Sequence, residues 1–328
     1  MGLVTVESDY DELDRRLAHA LQVNGRASFS AIAEVLGVSD RTIARRYARL
    51  RSSGAVRVLG GIDPTAMGAV QWFLRVRCAP NASVAVAEAL ARRPDTSWVS
   101  LTSGGTEISC TVRTESEADS EALLLAKLPR TPRVEGVTAH SVMHAFYGGT
   151  DSLVAKLGSL DAEAIERLRP PPVPYRPGPV RLDDGDRKLL AALAADGRAE
   201  FEQLAAITGW SPTTVRRRMA ELRERGVLYL DIDVDERLFG VGPRTLLWLS
   251  VAPAHLADTG AALAGHPEIA FAAATTGPTN LFASVVVADQ RELYRYLTTR
   301  VAALPAITHI ESAPVIRTVK RAANNAAS

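Results

Sequence analysis

Cysteine is almost missing: Cys78 and Cys110 are the two in 328 residues. Two thiols exclude a disulfide scaffold and a zinc site built from cysteine. Lysine is nearly as rare, since of 38 basic residues only Lys127, Lys156, Lys188 and Lys320 are not arginine. Arginine is the better partner for bidentate contacts to phosphate or guanine, although a GC-rich coding sequence produces the same bias. Charge of one sign is also lacking. Asp and Glu number 37, so the net charge is +1, and nucleic-acid binding has to be argued from local charge. No apolar run reaches the ~18 residues of a membrane span. The opening MGLVTVESDYDELD has no basic segment followed by an apolar one, as a signal peptide would. A soluble, cytoplasmic protein is expected.

Catalytic signatures are missing too. The six histidines form no metal pattern. His140 and His144 are four apart on an expected strand, which puts them on one face about 13 Å apart, too far to share a zinc ion. No Walker-type phosphate loop occurs, and Ser103 beside Gly104-Gly105 has no placed base. The expectation is no catalytic residue, no metal and no cofactor.

What the chain does contain is itself, twice. Asp14-Arg15 recurs as Asp186-Arg187, 172 residues on. At that spacing Gly25-Arg26-Ala27 matches Gly197-Arg198-Ala199, Gly37 matches Gly209, Ser39 matches Ser211, and Arg45-Arg46 match Arg217-Arg218. The series runs without a gap to Gly68/Gly240 and continues with small insertions. Between the copies, 160-LDAEAIERL-168 suggests a short linker helix. The stretch 169-RPPPVPYRPGPV-180 reads as a semi-rigid polyproline II spacer. Its ~12 residues at about 3.1 Å each span some 37 Å, enough to let a second head reach a neighbouring DNA groove.

Each copy begins with three helices. Phe29, Ile32, Ala33 and Leu36 make one apolar stripe on the second. Gly37 and Gly209 supply the positive φ that ends that helix. Ser39 and Ser211 cap the third, and Pro212 sits at a first helical position where its missing N–H is harmless. Ile43, Tyr47 and Leu50 face inward on the third helix, as do Val215, Met219 and Leu222 in the second copy. The outward face carries Arg41, Thr42, Arg45, Arg46 and Arg49, and in the second copy Thr213, Thr214, Arg216, Arg217 and Arg218. A helix, a tight glycine turn and a basic helix outline a helix-turn-helix. Arg41, Thr42, Arg45, Thr213, Thr214 and Arg217 are the expected base-reading residues. Arg46 and Arg218 serve phosphate or the helix's own packing.

A short strand follows each head, and then strands and helices in the order βαββαβ, the ferredoxin-like arrangement. The fold class is α+β. The expected division is a head at 8–62, a sheet domain at 63–150, a linker helix and spacer at 151–180, a second head at 181–234 and a second sheet domain at 235–321. Such a sheet has helices on one face only, so the open faces should pair, within one chain or between two neighbouring chains; Trp72, Leu74, Leu247 and Leu249 mark them as partly apolar.

The stretches 14-DRRLAHALQVNGRASFSAIAEVLGVSDRTIARRYARLRSSGAV-56 and 186-DRKLLAALAADGRAEFEQLAAITGWSPTTVRRRMAELRERGVL-228 resemble the Lrp/AsnC family of transcription regulators. The resemblance implies double-stranded DNA as a partner, ferredoxin-like domains that pair and sense a small molecule such as an amino acid, and self-association into a homodimer or larger. Members usually carry one copy, so the duplication would build their dimer within one chain. It places an effector at the glycine turns, Ser103, Gly104, Gly105, Thr106 and Glu107, or Thr276, Gly277, Pro278, Thr279 and Asn280. Exposed N–H groups there suit a carboxylate, and Glu107 suits an ammonium. The family's turn is typically followed by acidic residues, of which this chain keeps Glu107 alone. Two alternatives stand beside this reading. Siroheme decarboxylases have a similar two-part architecture, but neither 107-EISCTVR-113 nor 280-NLFASVVV-287 carries their His or aromatic run. A sensor without DNA binding fits Glu202, Glu221 and Glu224, which dilute the second copy's arginines.

Overall fold

In the computed structural model, residues 10–63, 66, 68–79, 81–114, 116–148, 153–175, 180–242 and 244–321 are described; part of the proline-rich spacer, 176–179, lies outside them. The chain divides into two compact units that cut across the repeat. One, the head unit, takes Met1–Met67 and Gly149–Val241; the other, the sheet unit, takes Gly68–Gly148 and Gly242–Ser328.

The first head is α1 (Glu12–Val23), α2 (Phe29–Leu36) and α3 (Asp40–Ser52), followed by β1 (Val56–Ile62). Each helix starts where the sequence supplies a cap. Asp11 and Asp14 form a reciprocal capping box on α1, Ser28 accepts from Ala31 N–H on α2, and Gly37 at φ 68° closes α2.

The sheet elements of copy one are β2 (Val70–Cys78), α4 (Ser83–Ala91), β3 (Thr96–Thr102), β4 (Glu107–Thr114), α5 (Glu117–Glu121, continued by a π turn over Ala122–Lys127) and β5 (Val134–Tyr147). Two linker helices follow, α6 (Leu153–Leu157) and α7 (Ala162–Leu168).

The second head is α8 (Asp184–Ala195), α9 (Phe201–Thr208), α10 (Pro212–Glu224) and β6 (Leu228–Val234). The second set of sheet elements is β7 (Arg244–Val251), α11 (Leu256–Ala264), β8 (Ile269–Thr275), β9 (Leu281–Val286), α12 (Gln290–Tyr296, continued to Val301) and β10 (Ile307–Lys320). Both βαββαβ orders are therefore present.

In the head unit β1 and β6 pair antiparallel, from Val56 opposite Val234 to Ile62 opposite Leu228. The cores cross with them: Ile232 and Leu238 pack into the first head, and Ile62 packs against the second. The repeated Gly-Arg-Ala motif clasps the two heads together. Arg26 donates to the carbonyls of Gly197 and Ala199 at 2.8 and 2.9 Å, and Arg198 to those of Gly25 and Ala27 at 2.7 and 3.0 Å. Each guanidinium also lies over an aromatic ring of one head, Phe201 or Phe29. A Cβ on Gly60 would stand 2.8 Å from Leu193 Cβ, so only glycine lets this strand and α8 approach. The expectation of a second head reaching out on a spacer is thus corrected: a ladder and a double arginine clasp hold the heads side by side.

The linker lies on the first head. Ser159 and Leu160 N–H both donate to buried His19 Nδ1 at 3.1 Å, and Val154 and Leu168 enter that head's core.

In the sheet unit the strands close into a barrel in the order β10-β3-β4-β2-β5-β8-β9-β7. β5 and β10 make the closure. The first half of β5 pairs with β2 and its second half with β8. Likewise β10 runs from β7 to β3. The two open faces do meet, within one chain. The residues between them are Phe73, Leu246, Trp248, Ala273, Phe282 and Ala313. Leu74, Leu247 and Leu249 instead face the helices, where Trp72 packs too. The expected face was one residue out of phase, and with a side-chain period of two that error exchanges the faces.

Candidate nucleic-acid interface and effector turns

The third helix of each head begins at its serine. Ser39 Oγ accepts from Thr42 N–H at 3.1 Å, and Ser211 Oγ from Thr214 N–H at 3.2 Å. The same hydroxyls meet the threonine hydroxyls at 2.9 and 3.0 Å. Capping therefore engages both serines and partly engages Thr42 and Thr214, while Thr213 stays exposed.

The arginines behind the caps fall into two sets. Arg46 turns back to the first helix, 2.7 Å from Asp11 and 2.9 Å from Asp14. Arg218, its repeat partner, grips Asp186 with two bonds of 2.6 Å and Glu221 at 2.8 Å. Arg49 reaches Asp14 at 2.6 Å. Asp14 and Asp186 are fully buried, so each needs a guanidinium. Hydrogen bonding to Asp186 pushes the Arg218 pKa well above its ordinary value. Arg216 stacks on Phe201 at 4.3 Å. Arg41, Arg45 and Arg217 are exposed, and no side-chain hydrogen bond or ion pair engages them among the described residues.

The two glycine turns are built differently. Ser103, Gly104 and Gly105 all have left-handed φ, at 52°, 72° and 86°, and a Cβ on either glycine would meet nothing within 4 Å. Thr106 closes the turn by donating to Ser103 O at 3.0 Å. Glu107 is buried and tied to Arg75 at 2.9 Å, which also holds Glu311 at 2.7 Å and lies over Trp248. Its charge is therefore met from within the chain, which removes the expected ammonium partner.

The second turn is packed shut. Thr276 exchanges bonds with Ser141 through both its N–H and its hydroxyl. Ser250 donates to Pro278 O, Thr275 to Thr279 O, and Asn280 pairs with both backbone groups of Val251. Gly277 lies against His140, which a Cβ would meet at 2.7 Å.

His140 is buried and donates from Nδ1 to Thr276 O at 2.7 Å, its ring stacked on Trp248. A register shift between Val142 and His144 breaks the strand's alternation, so His144 is exposed against Phe146 and does not share a face with His140. Cys78 and Cys110 are buried on β2 and β4, and burial pushes the Cys110 thiol up to about 12, which keeps it unreactive. Sequence reading passed over Arg26, Arg198 and Arg75. Their signals were the repeated Gly-Arg-Ala motif and an arginine inside an apolar strand.

Two capped basic helices in one unit and a closed pair of ferredoxin-like sheets in the other define a helix-turn-helix regulator with a sensor module. Residues 11–51 and 182–223 match the family model for the AsnC-type helix-turn-helix domain, and residues 245–324 match that for the Lrp/AsnC ligand binding domain. An uncharacterized HTH-type transcriptional regulator of Pyrococcus furiosus is 33% identical over 39% of this chain and 85% of its own length. The HTH-type transcriptional regulator FL11 of Pyrococcus horikoshii is 26% identical over 43% of this chain and 93% of its own. The chain belongs to the Lrp/AsnC family of transcription regulators, with the helix-turn-helix module present twice. Among solved structures, the siroheme decarboxylase NirDL superposes with a TM-score of 0.64 over 95% of this chain and 93% of its own, at 16% identity. At that identity the likeness is one of fold. No helix among the described residues is long and apolar enough to cross a membrane.

Proposed function

We propose that this regulator reads an asymmetric DNA site. Arg41, Thr42 and Arg45 reach base edges from α3, and Thr213, Thr214 and Arg217 from α10. Arg46, Arg49 and Arg218 set the posture of those helices. The observation that carries the reading is the split among the arginines: those facing the first helix of each head are paired to buried aspartates, while Arg41, Arg45 and Arg217 have no side-chain partner among the described residues. The heads differ where it matters. Arg41 is replaced by Thr213, and Arg49 by Glu221, so the first head contributes more of the affinity. A bidentate arginine–guanine contact carries about 1–3 kcal/mol. Arg45→Ala and Arg217→Ala should each weaken operator binding at both low and high salt; unchanged affinity at both concentrations overturns the reading.

The effector, a small carboxylate such as an amino acid, binds at Ser103–Thr106 and not at Thr276–Asn280. Support comes from the open left-handed first turn and the internally bonded second. A ligand at a hundred times its Kd adds about 2.7 kcal/mol of stability, which a thermal-shift screen of the twenty amino acids detects. Gly104→Val should abolish that gain. The protein works in the cytoplasm without catalysing a reaction, a reading supported by the regulator modules and relatives in its sequence. Chains associate further through the sheet unit, where the repeat-related Met143 and Ile316 sit exposed at strand irregularities.

A further inference from the structure

A turn of the second head reaches the back of the first recognition helix. The turn is Asp196-Gly197-Arg198, between α8 and α9, and each of its residues crosses to the first head. Asp196 Oδ2 holds the Arg51 guanidinium on α3 at 2.7 Å. Its other oxygen accepts from Arg198 N–H at 2.9 Å, which fixes the carboxylate within the turn. Gly197 N–H donates to Val58 O on β1 at 2.8 Å. Arg198 lays its guanidinium 5.4 Å from the ring centre of Tyr47 on α3, and 4.8 Å from that of Phe29. At about 3.6 residues per turn, Tyr47 and Arg51 share one side of α3, and Arg41 and Arg45 take the opposite side. The second head thus grips the helix behind its reading face.

The repeat does not return this arrangement. Asp196 corresponds to Asn24, whose amide donates instead to Leu168 O on the linker helix α7 at 3.1 Å. Arg51 corresponds to Arg223, whose guanidinium meets no carboxylate among the described residues. Tyr47 corresponds to Met219, which has no ring for Arg26 to cover. What joins the first head to α10 is a shared ring: Arg26 and Arg216 both lie over Phe201, at 4.7 and 4.3 Å.

We propose that Asp196 and Arg198 are positioning residues for the first recognition helix. Base discrimination at the first half-site then depends on the second head, while α10 reads its own half-site without such a grip. The proposal rests on the operator reading given under the proposed function. A bidentate arginine–guanine contact has to be held within about 0.5 Å of its productive geometry. Attraction to phosphate falls slowly with distance and is less exacting. Freeing α3 therefore costs discrimination before it costs affinity. Asp196 isolates the effect, because Arg198 also belongs to the clasp between the heads.

The test uses the full chain and an operator selected from random duplexes, with base-pair changes placed in each half-site. Discrimination is the affinity for the intact site divided by that for the changed one. Arg45→Ala identifies the first half-site as the one where discrimination falls. Asp196→Asn keeps the acceptor for Arg198 N–H and removes the charge facing Arg51. It should lower discrimination at that same half-site about threefold and leave the other unchanged. Arg51→Gln should do the same, and the double variant should fall no further than either single one. Arg223→Gln should leave the second half-site as it was. In the free chain, Asp196→Asn should speed amide exchange on α3 and not on α10. If Arg45→Ala lowers discrimination at neither half-site, the operator reading falls and this proposal with it. If Arg45→Ala lowers it but Asp196→Asn does not, or Asp196→Asn lowers both half-sites alike, the operator reading stands and the positioning role is overturned. Unchanged exchange on α3 in Asp196→Asn overturns that role without reference to DNA.

Discussion

A guanidinium means three different things in this chain, and its neighbour decides which. Arg46 and Arg218 answer a buried carboxylate, Arg26 and Arg198 answer backbone carbonyls across the heads, and the side chains of Arg41, Arg45 and Arg217 answer nothing among the described residues. Residue type alone does not separate these sets, but substitution does. Arg218→Ala strands Asp186 in the interior and should cost about 3 kcal/mol by chemical denaturation. Arg46→Ala should cost less, because Arg49 still reaches Asp14. Arg41→Ala should move stability by no more than about 0.5 kcal/mol. A second prediction concerns Asp231 on β6. Burial pushes its carboxyl up to about 7, with the Asp233 charge adding to the shift. A carboxyl raised in the fold lends stability that is complete below its unfolded value and lost as pH rises through about 7. His19, held low by burial, works in the opposite sense over the neighbouring window. The readout is therefore the difference between wild type and Asp231→Asn, which should grow in the variant's favour from pH 5 to pH 8 in paired melts; a pH-independent difference contradicts it.

The elements themselves were legible almost to the residue. Helix starts were, because Ser39, Ser211 and Pro212 are local signals. The βαββαβ order was, because apolar runs such as Thr96–Thr102 and Ile269–Thr275 end at turn residues. Their pairings were not. The β1–β6 ladder joins stretches 172 residues apart, and nothing in either strand names its partner. Facing was misread on β2 and β7, where both faces are apolar and alternation carries no contrast. In the candidate site, the serine caps and basic faces were visible in sequence. The commitment of Glu107 to Arg75 was not, because it is a contact between strands whose register only the fold sets. At this scale Ser39→Ala should cost about 1 kcal/mol, visible as a lower unfolding midpoint and a weaker first-head contribution to DNA binding. Arg26→Ala with Arg198→Ala should loosen the heads without altering the sheet unit. Amide exchange should speed up on β1 and β6 and stay slow on β4 and β9; equal protection in both variants and wild type would exclude the clasp.

For the whole molecule, duplication has sorted like with like: heads with heads, sheets with sheets. Because the heads are joined by a ladder, the proposed two-headed reading makes the spacing of the half-sites on DNA a property of the fold. Operators with inserted base pairs between half-sites should lose affinity steeply in a spacing series, whereas a tethered pair would tolerate them. Salt dependence should also split by head. Arg45→Ala should lower the slope of log affinity against log salt by no more than about one, since base contacts release few ions.

The closing strands bear on how the protein is made. The last residues of β10, Val315 to Lys320, pair with Thr102 to Val99 on β3, so the first copy's sheet waits for more than two hundred residues of synthesis before its edge is covered. Until then β3 presents bare N–H and C=O groups to any passing strand. Contacts between such distant parts of a chain are slow to form, so a nascent chain stalled or clipped before Val315 is released with an open, adhesive edge. Shortening the chain from its far end is thereby a lesion of its beginning: the first copy, complete in sequence, would be the part that aggregates.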